Sequence, residues 1–354
     1  MISFLNDYSE GCHPKILSRL AAINEAQNPG YGTDGICAQA AAKIRGLCEN
    51  DGLSVHFLVG GTQTNATVIA ASLRPHQAVI SAESGHIHVH ETGAVEATGH
   101  KILAAPSQDG KLTPAQVERV MASHTDEHGV QPRMVYISNP TELGTMYSRR
   151  ELEALHEVCR KWGLYLFLDG ARLGYGLAAR ENDLTFPDLG RLTDVFYIGG
   201  TKVGALFGEA VVIAAPELAR DFRYAIKQRG GMLAKGWLLG VQFDTLLTDG
   251  EYVRLAAHAN ALADEIRETL AQCGYRLLLP GCTNQIFPIF PDAVLEELEK
   301  EFQFTPQQRI DESHQAVRIC TSWATKPEAV AALCRRLREI RVKSTDAAGA
   351  LTAG

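Results

Sequence analysis

Short apolar runs recur along the chain, each separated from the next by a stretch with helical spacing. Runs at 54–58, 78–81, 101–103, 134–138, 164–168, 194–198 and 210–214 are rich in Val, Ile, Leu and Tyr and predict strands. Between them, 14–26, 36–50, 65–73, 89–97, 113–123 and 149–161 predict helices. In the last of these, Leu152, Leu155, Val158 and Trp162 recur every three or four residues and predict a buried stripe. Alternation of this kind builds βαβ units and a mostly parallel sheet, so the fold class is α/β. A helical run at 216–247 leaves the sheet. Beyond it, a long helix at 250–273, strands near Tyr275 and Ile286, and helices at 292–302 and 326–341 predict a smaller α+β domain. The expected organisation is an arm at 1–14, a large domain at 15–248, a small domain at 249–342 and a fraying tail at 343–354.

Composition narrows the function without choosing it. With 45% hydrophobic and 21% charged residues, the chain can build an ordinary core. A net charge of −7 argues against a nucleic-acid partner. The eight cysteines include no CxxC pair and several lie in apolar contexts, which reads as core packing in a reducing, cytoplasmic setting. The start of the chain lacks a secretory pattern, and no run reaches the roughly eighteen apolar residues of a membrane span.

Candidate chemistry begins with VFYIGGTKVGALFG, where Lys202 is the one charge in fourteen residues. It is either a lysine snorkelling from a strand end or an amine tuned to attack a carbonyl. In an open α/β sheet, ligands gather beyond the carboxyl ends of the strands. Three segments belong there: the loop after Leu58, Asp169 after LYLFL, and Lys202 after VFYI. The loop continues as GGTQTN, with Gly61 and Thr62 entering a helix, and serves as a phosphate turn or as a plain capped turn. In LYLFLDGARLGYG, Asp169 and Arg172 form a simple ion pair, or Asp169 lies beneath a protonated pyridine nitrogen. In ESGHIHVHETG, His86, His88 and His90 would share a face on a strand and suggest a metal. The segment instead reads as helical, which separates His88 and favours a single imidazole lying flat on a ring. A lysine, a strand-end aspartate, a phosphate turn and a histidine together specify pyridoxal 5'-phosphate.

At these motifs the sequence resembles the fold-type I pyridoxal-phosphate enzymes, and within them the threonine aldolase and β-eliminating lyase group. The resemblance covers nearly the whole chain and rests on VGGTQTN, ESGHIHVHETGA, FLDGAR and GGTKVG. It implies a large domain with a mostly parallel sheet plus a small C-terminal domain. Lys202 would carry the Schiff base, Asp169 would hold the ring nitrogen's proton, and His86 would stack on the ring. Arg172 and Arg318, the latter in AVRICTSW, would hold the substrate carboxylate. Tyr31, in the segment 31–34, would stand near a neighbouring subunit's site, and Asn6 in LNDYS takes the place of a family serine. His124 or His128 would approach the substrate hydroxyl, and GGTKVG is closer to a bacterial branch that includes phenylserine aldolases. The implied reaction is retro-aldol cleavage of an L-β-hydroxy-α-amino acid to glycine and an aldehyde, in a homodimer or homotetramer with sites at subunit interfaces. Competing readings are β-elimination or transamination on the same scaffold, a non-catalytic binding protein, and a metal-dependent aldolase.

Overall fold

The structure is a computed structural model and describes residues 1–351. The chain opens with a two-residue strand, β1 (Ile2–Ser3). The strands of the large sheet follow as β2 (Ser54–Leu58), β3 (Gln77–Ala82), β4 (Lys101–Ala105), β5 (Gln131–Ser138), β6 (Tyr165–Asp169), β7 (Val195–Gly199) and β8 (Glu209–Ile213). Their spatial order is β2-β8-β7-β6-β5-β3-β4. Only β8 runs antiparallel to its neighbours, β2 and β7. The sheet is otherwise parallel, as the alternation predicts.

Both sheet faces are covered, which is why the strands read as continuous apolar runs instead of alternating ones. One face carries Val135, Ile137, Leu166, Leu168, Phe196 and Ile198 into a core shared with the helix Arg149–Trp162. The other carries Met134, Tyr136, Phe167, Val195, Tyr197 and Val211 against Val68 and Ile69 of the helix Gly61–Ser72. The helix Arg149–Trp162 starts at Ser148 in a capping box with Glu151 and stops at Gly163, whose φ of 64° is left-handed. Its buried stripe is Leu152, Leu155, Val158 and Cys159; Trp162, expected in that stripe, is 41% exposed and lies beneath the Lys161 ammonium.

The C-terminal unit contains β9 (Gln285–Ile286), β10 (Ile289–Pro291), β11 (Phe302–Gln303), β12 (Thr305–Arg309) and β13 (His314–Cys320). Its core holds Phe290, Leu298, Phe302, Val317 and Ile319, and Phe4 from the chain's start joins it. The first residues therefore belong to this unit, because β1 pairs in parallel with β11. The helix Glu251–Gln272 serves both cores. Tyr252, Leu255, Ala256 and Ala259 pack under the large sheet, whereas Leu262, Ala263, Ile266 and Leu270 pack in the C-terminal core.

Several elements differ from the expectation. No helix spans 89–97: a single turn, His86–Val89, is followed by a break where Thr92 (φ 52°) and Gly93 (φ 73°) turn left-handed. The run at 216–247 is three helices, Pro216–Ala219, Phe222–Gln228 and Trp237–Leu246, interrupted at Asp221 (φ 58°) and Gly230 (φ 72°). The helix expected at 292–302 stops at Leu298, since Phe302 is taken by β11. Near Tyr275 there is, among the described residues, one bridge, Leu277 to Pro288, and no strand. The last helix is Pro327–Leu351, so backbone expected to fray is helical through 351, and the end of that tail, 352–354, lies outside the described residues. All eight thiols are free and buried. Among the described residues, no helix is long and apolar enough to cross a membrane.

Candidate active site

A cavity of about 300 Å³ opens beyond the carboxyl ends of β5, β6 and β7. Lys202, Asp169, His86, Arg172, Gly61 and Thr62 all line it. The turn after β7 is tightly fixed. The Gly200 and Thr201 amides donate to the Gly208 carbonyl at 2.9 and 3.2 Å, and the Tyr175 hydroxyl donates to the Lys202 carbonyl at 2.5 Å. Among the described residues, the Lys202 amine makes no hydrogen bond or ion pair. Burial and the Arg172 charge lower its pKa, against the opposing pull of Asp7, Asp169 and Glu209. A buried, pinned amine, partner-free among the described residues and shifted toward its neutral form, has the properties that nucleophilic attack requires.

Asp169 ends β6 with its carboxylate buried. It accepts from the Tyr136 hydroxyl at 2.5 Å, from Asn65 Nδ2 at 3.2 Å and from the Ala171 amide at 2.9 Å. The glycine of LDGAR is a packing requirement: a Cβ on Gly170 would fall 1.9 Å from the Tyr197 carbonyl oxygen. That close approach lets the Gly199 amide donate to the Gly170 carbonyl at 2.9 Å and brings the ends of β6 and β7 together.

His86 opens the one-turn helix beside the cavity. Its Nδ1 donates to Glu91 Oε1 at 2.7 Å, and its backbone amide donates to Glu142 Oε1 at 3.0 Å. Burial pulls the imidazole pKa down, but the Glu91 hydrogen bond and the Asp169 and Glu91 charges outweigh it, and the net direction is up. Asn65 Nδ2 also donates to Glu91 Oε1, at 2.7 Å. One side-chain amide therefore joins the His86–Glu91 pair to Asp169. The Glu142 carboxyl is raised by burial and by Asp169, while Ser138 donates to it at 2.6 Å.

Arg172 is held from the chain's N-terminal segment. Its Nε and Nη2 donate to the two oxygens of Asp7 at 2.8 and 2.9 Å, and Asn284 Nδ2 adds a third bond to Asp7 at 2.9 Å. Burial alone would raise the Asp7 carboxyl; Arg172 and Lys202 reverse this and hold it below its ordinary value.

The other expected residues lie elsewhere. Asn6 turns back on its own segment, accepting from the Tyr8 amide at 2.9 Å and the Ser9 hydroxyl at 3.0 Å, while its neighbours Asp7 and Tyr8 reach the site. Arg318 stands on β13 and donates to the Leu5 carbonyl at 3.0 Å, away from the cavity lining. Tyr31 lines a different cavity and has the Lys227 ammonium 4.7 Å from its ring centroid. His124 and His128 follow the helix Pro114–Ala122 and do not line the site. Sequence reasoning passed over Asp7, Asn65, Glu91, Tyr136, Glu142 and Glu209. Asn65 and Glu91 stand inside quoted motifs, and Glu209 is a lone acid opening the apolar run EAVVI.

The two-unit architecture, with chemistry at the carboxyl ends of a mostly parallel sheet, is that of the fold-type I pyridoxal-phosphate enzymes. A solved aspartate aminotransferase from Thermus thermophilus shares this fold with a TM-score of 0.70 at 17% identity, covering 96% of this chain and 91% of that one. A family model described as beta-eliminating lyase matches residues 5–292, and the chain belongs to that family. It is 33% identical to a low specificity L-threonine aldolase of Pseudomonas aeruginosa, over 95% of this chain and 96% of the relative. It is 47% identical to a solved threonine aldolase of Leishmania major, with a TM-score of 0.95 over 96% of this chain and 100% of that one.

Proposed function

We propose that the protein is a pyridoxal 5'-phosphate-dependent aldolase that cleaves L-threonine and related L-β-hydroxy-α-amino acids to glycine and an aldehyde. The observation that carries this reading is the partner-free, depressed-pKa amine of Lys202 in one cavity with the triply hydrogen-bonded carboxylate of Asp169. The cavity fits the cofactor's parts. The helix Gly61–Ser72 presents uncapped N-terminal amides beside Gly60, Gly61 and Thr62, where a phosphate is stabilised. Bound there, the cofactor supplies an electron-withdrawing ring conjugated to the substrate's α-carbon.

The chain's residues then have separable tasks. Asp169 would hold the ring nitrogen and its proton, and its three donors keep that carboxylate in place. His86 would pack against the ring, and its Nδ1 proton is committed to Glu91. Arg172 offers Nη1 to the substrate carboxylate, since Nε and Nη2 are held by Asp7. Arg318, on β13, would be the second cationic contact for that carboxylate. Two cationic contacts align the Cα–Cβ bond for cleavage better than one does.

The assembly we propose is a homodimer or homotetramer in the cytoplasm. Tyr31, 47% exposed and remote from this chain's Lys202 cavity, supports a role at a neighbouring subunit's site. The eight buried free thiols support a reducing compartment. A second reading, β-elimination, is favoured by the family's description. Incubating the purified protein, supplied with pyridoxal phosphate, with L-threonine and L-phenylserine should yield glycine with acetaldehyde and benzaldehyde. Borohydride should fix the cofactor to the peptide containing Lys202. Keto acid and ammonia without either aldehyde would replace the aldolase with an eliminating lyase.

A further inference from the structure

Glu209 is a carboxyl group for which the proposed reaction has no use. It opens β8 opposite Gly199 of β7 and opposite Leu58 of β2. Partners in register share a sheet face, so Glu209 is on the face of Tyr197, Leu58 and Phe167, beneath the helix Gly61–Ser72. Asp169 ends β6 on that same face, two strands and roughly 10 Å away. The two acids thus stand toward opposite ends of one cavity.

The hydrogen bonds of Glu209 are lopsided. It is 3% exposed, and its Oε1 accepts from the Thr201 hydroxyl at 2.9 Å. The Thr201 oxygen in turn accepts from the Gly208 amide at 3.0 Å, so the hydroxyl proton is committed to Oε1. Oε2 is buried and has no partner among the described residues. The same cavity is lined by Gly60, Gly61 and Thr62 at the uncapped helix start. A helix start attracts an anion, whereas an ionised carboxylate sharing its cavity would repel one. The conflict disappears if Oε2 carries a proton.

We propose that Glu209 binds the phosphate end of the cofactor as a neutral carboxylic acid, donating from Oε2 to a phosphate oxygen while Oε1 accepts from Thr201. The proposal rests on the cofactor assignment above. It is supported by the direction of titration. Burial raises the Glu209 carboxyl, the Thr201 hydrogen bond and the Lys202 charge hold it back, and with Asp169 pushing upward it stands at about 8. The titratable groups around it are Lys202 beyond β7, Asp169 on β6, Tyr197 on β7 and Tyr252 on the helix Glu251–Gln272. Below about pH 8 the acid donates; as pH rises through that value it becomes a carboxylate and repels the phosphate.

The test uses pyridoxine 5'-phosphate, which has the ring and the phosphate but no aldehyde for Lys202 to attack. Its affinity for the wild type is measured calorimetrically from pH 7 to 9.5, beside pyridoxine, which lacks the phosphate. The wild type should lose about ten-fold or more in affinity for the phosphate ester and little for pyridoxine. Glu209→Gln keeps a donor and an acceptor without titrating, and should flatten the profile. Deprotonation of the Lys202 ammonium would also weaken anion binding. An equal loss in Glu209→Gln would therefore assign the effect to Lys202 and overturn the proposal, as would an equal loss for pyridoxine. Where Gln is not tolerated, Glu209→Ser gives the same comparison. Absence of binding at every pH would overturn the cofactor assignment, and this proposal with it.

Discussion

Asp7→Ala isolates the contribution of the chain's first residues to the site. Asp7 is fully buried and provides the only counter-ion bonded to Arg172 among the described residues, through bonds of 2.8 and 2.9 Å. Removing one partner of a buried pair leaves the other charge uncompensated and costs about 3–5 kcal/mol. Asn284 loses one bond but keeps another, to the Thr321 carbonyl at 2.9 Å. An unfolding entropy of about 2.1 cal/mol/K per residue, over 354 residues, gives roughly 0.7 kcal/mol per degree. The melting temperature should therefore fall by about 4–7 °C. Calorimetry on Asp7→Ala, Arg172→Leu and the double variant measures this. The double variant should recover part of the loss, because the unpaired charge is gone. The folded-state pKa of Asp7 is depressed, so its stabilisation is present above the unfolded value and lost as pH falls through the folded one. The deficit of Asp7→Ala should accordingly shrink in acid. A melting point within about 1 °C of wild type at neutral pH, or strictly additive single losses, would refute the reasoning.

Asp169→Asn should retain cofactor, read from absorbance, while aldehyde formation from L-threonine falls by roughly 10²-fold or more. Glu91→Gln removes a carboxylate that raises His86, so the His86 pKa read by NMR titration should fall relative to wild type. Gly170→Ala places a methyl 1.9 Å from the Tyr197 carbonyl oxygen. It should cost about 4 kcal/mol or more, seen as lost soluble yield and a lowered melting point. Burial pushes Cys37 and Cys48 up to about 12, and all eight thiols are buried, so native protein should react with a thiol reagent at pH 8 only as it unfolds.

The residues legible in the sequence are those whose neighbours made them anomalous. Lys202 and Asp169 each interrupt an apolar run at a strand end, where the sheet's geometry alone gathers ligand-binding groups. Gly61 and Thr62 were legible because a glycine pair between strand and helix is an anion turn in waiting. Long-range partners left no such mark. Nothing local in LNDYS indicates that Asp7 crosses to Arg172, 165 residues away, whereas Asn6 looked equally suitable and turns back on its own loop. Asn65 resembles any helix-start asparagine until the fold puts Glu91 and Asp169 on either side of its amide. The helix expected at 89–97 failed for a local reason: its apolar spacing was adequate, but Thr92 and Gly93 adopt a hand that helices cannot continue.

Because β1 is tied to β11, the order of synthesis sets when the site can exist. Ile2 pairs with Phe302, the Leu5 carbonyl waits for Thr305 and Arg318, and Asp7 waits for Asn284. These contacts span 277 to 313 residues and are among the longest loops the chain can close. The large sheet can assemble while translation continues, since β8 ends at Ile213. Its cavity will then have Lys202 and Asp169 in place, but not the Asp7 contact that holds Arg172. Residues 2–7 are thus synthesised early and dock among the last, and a nascent chain in which β13 is not yet made carries Lys202 without a finished site.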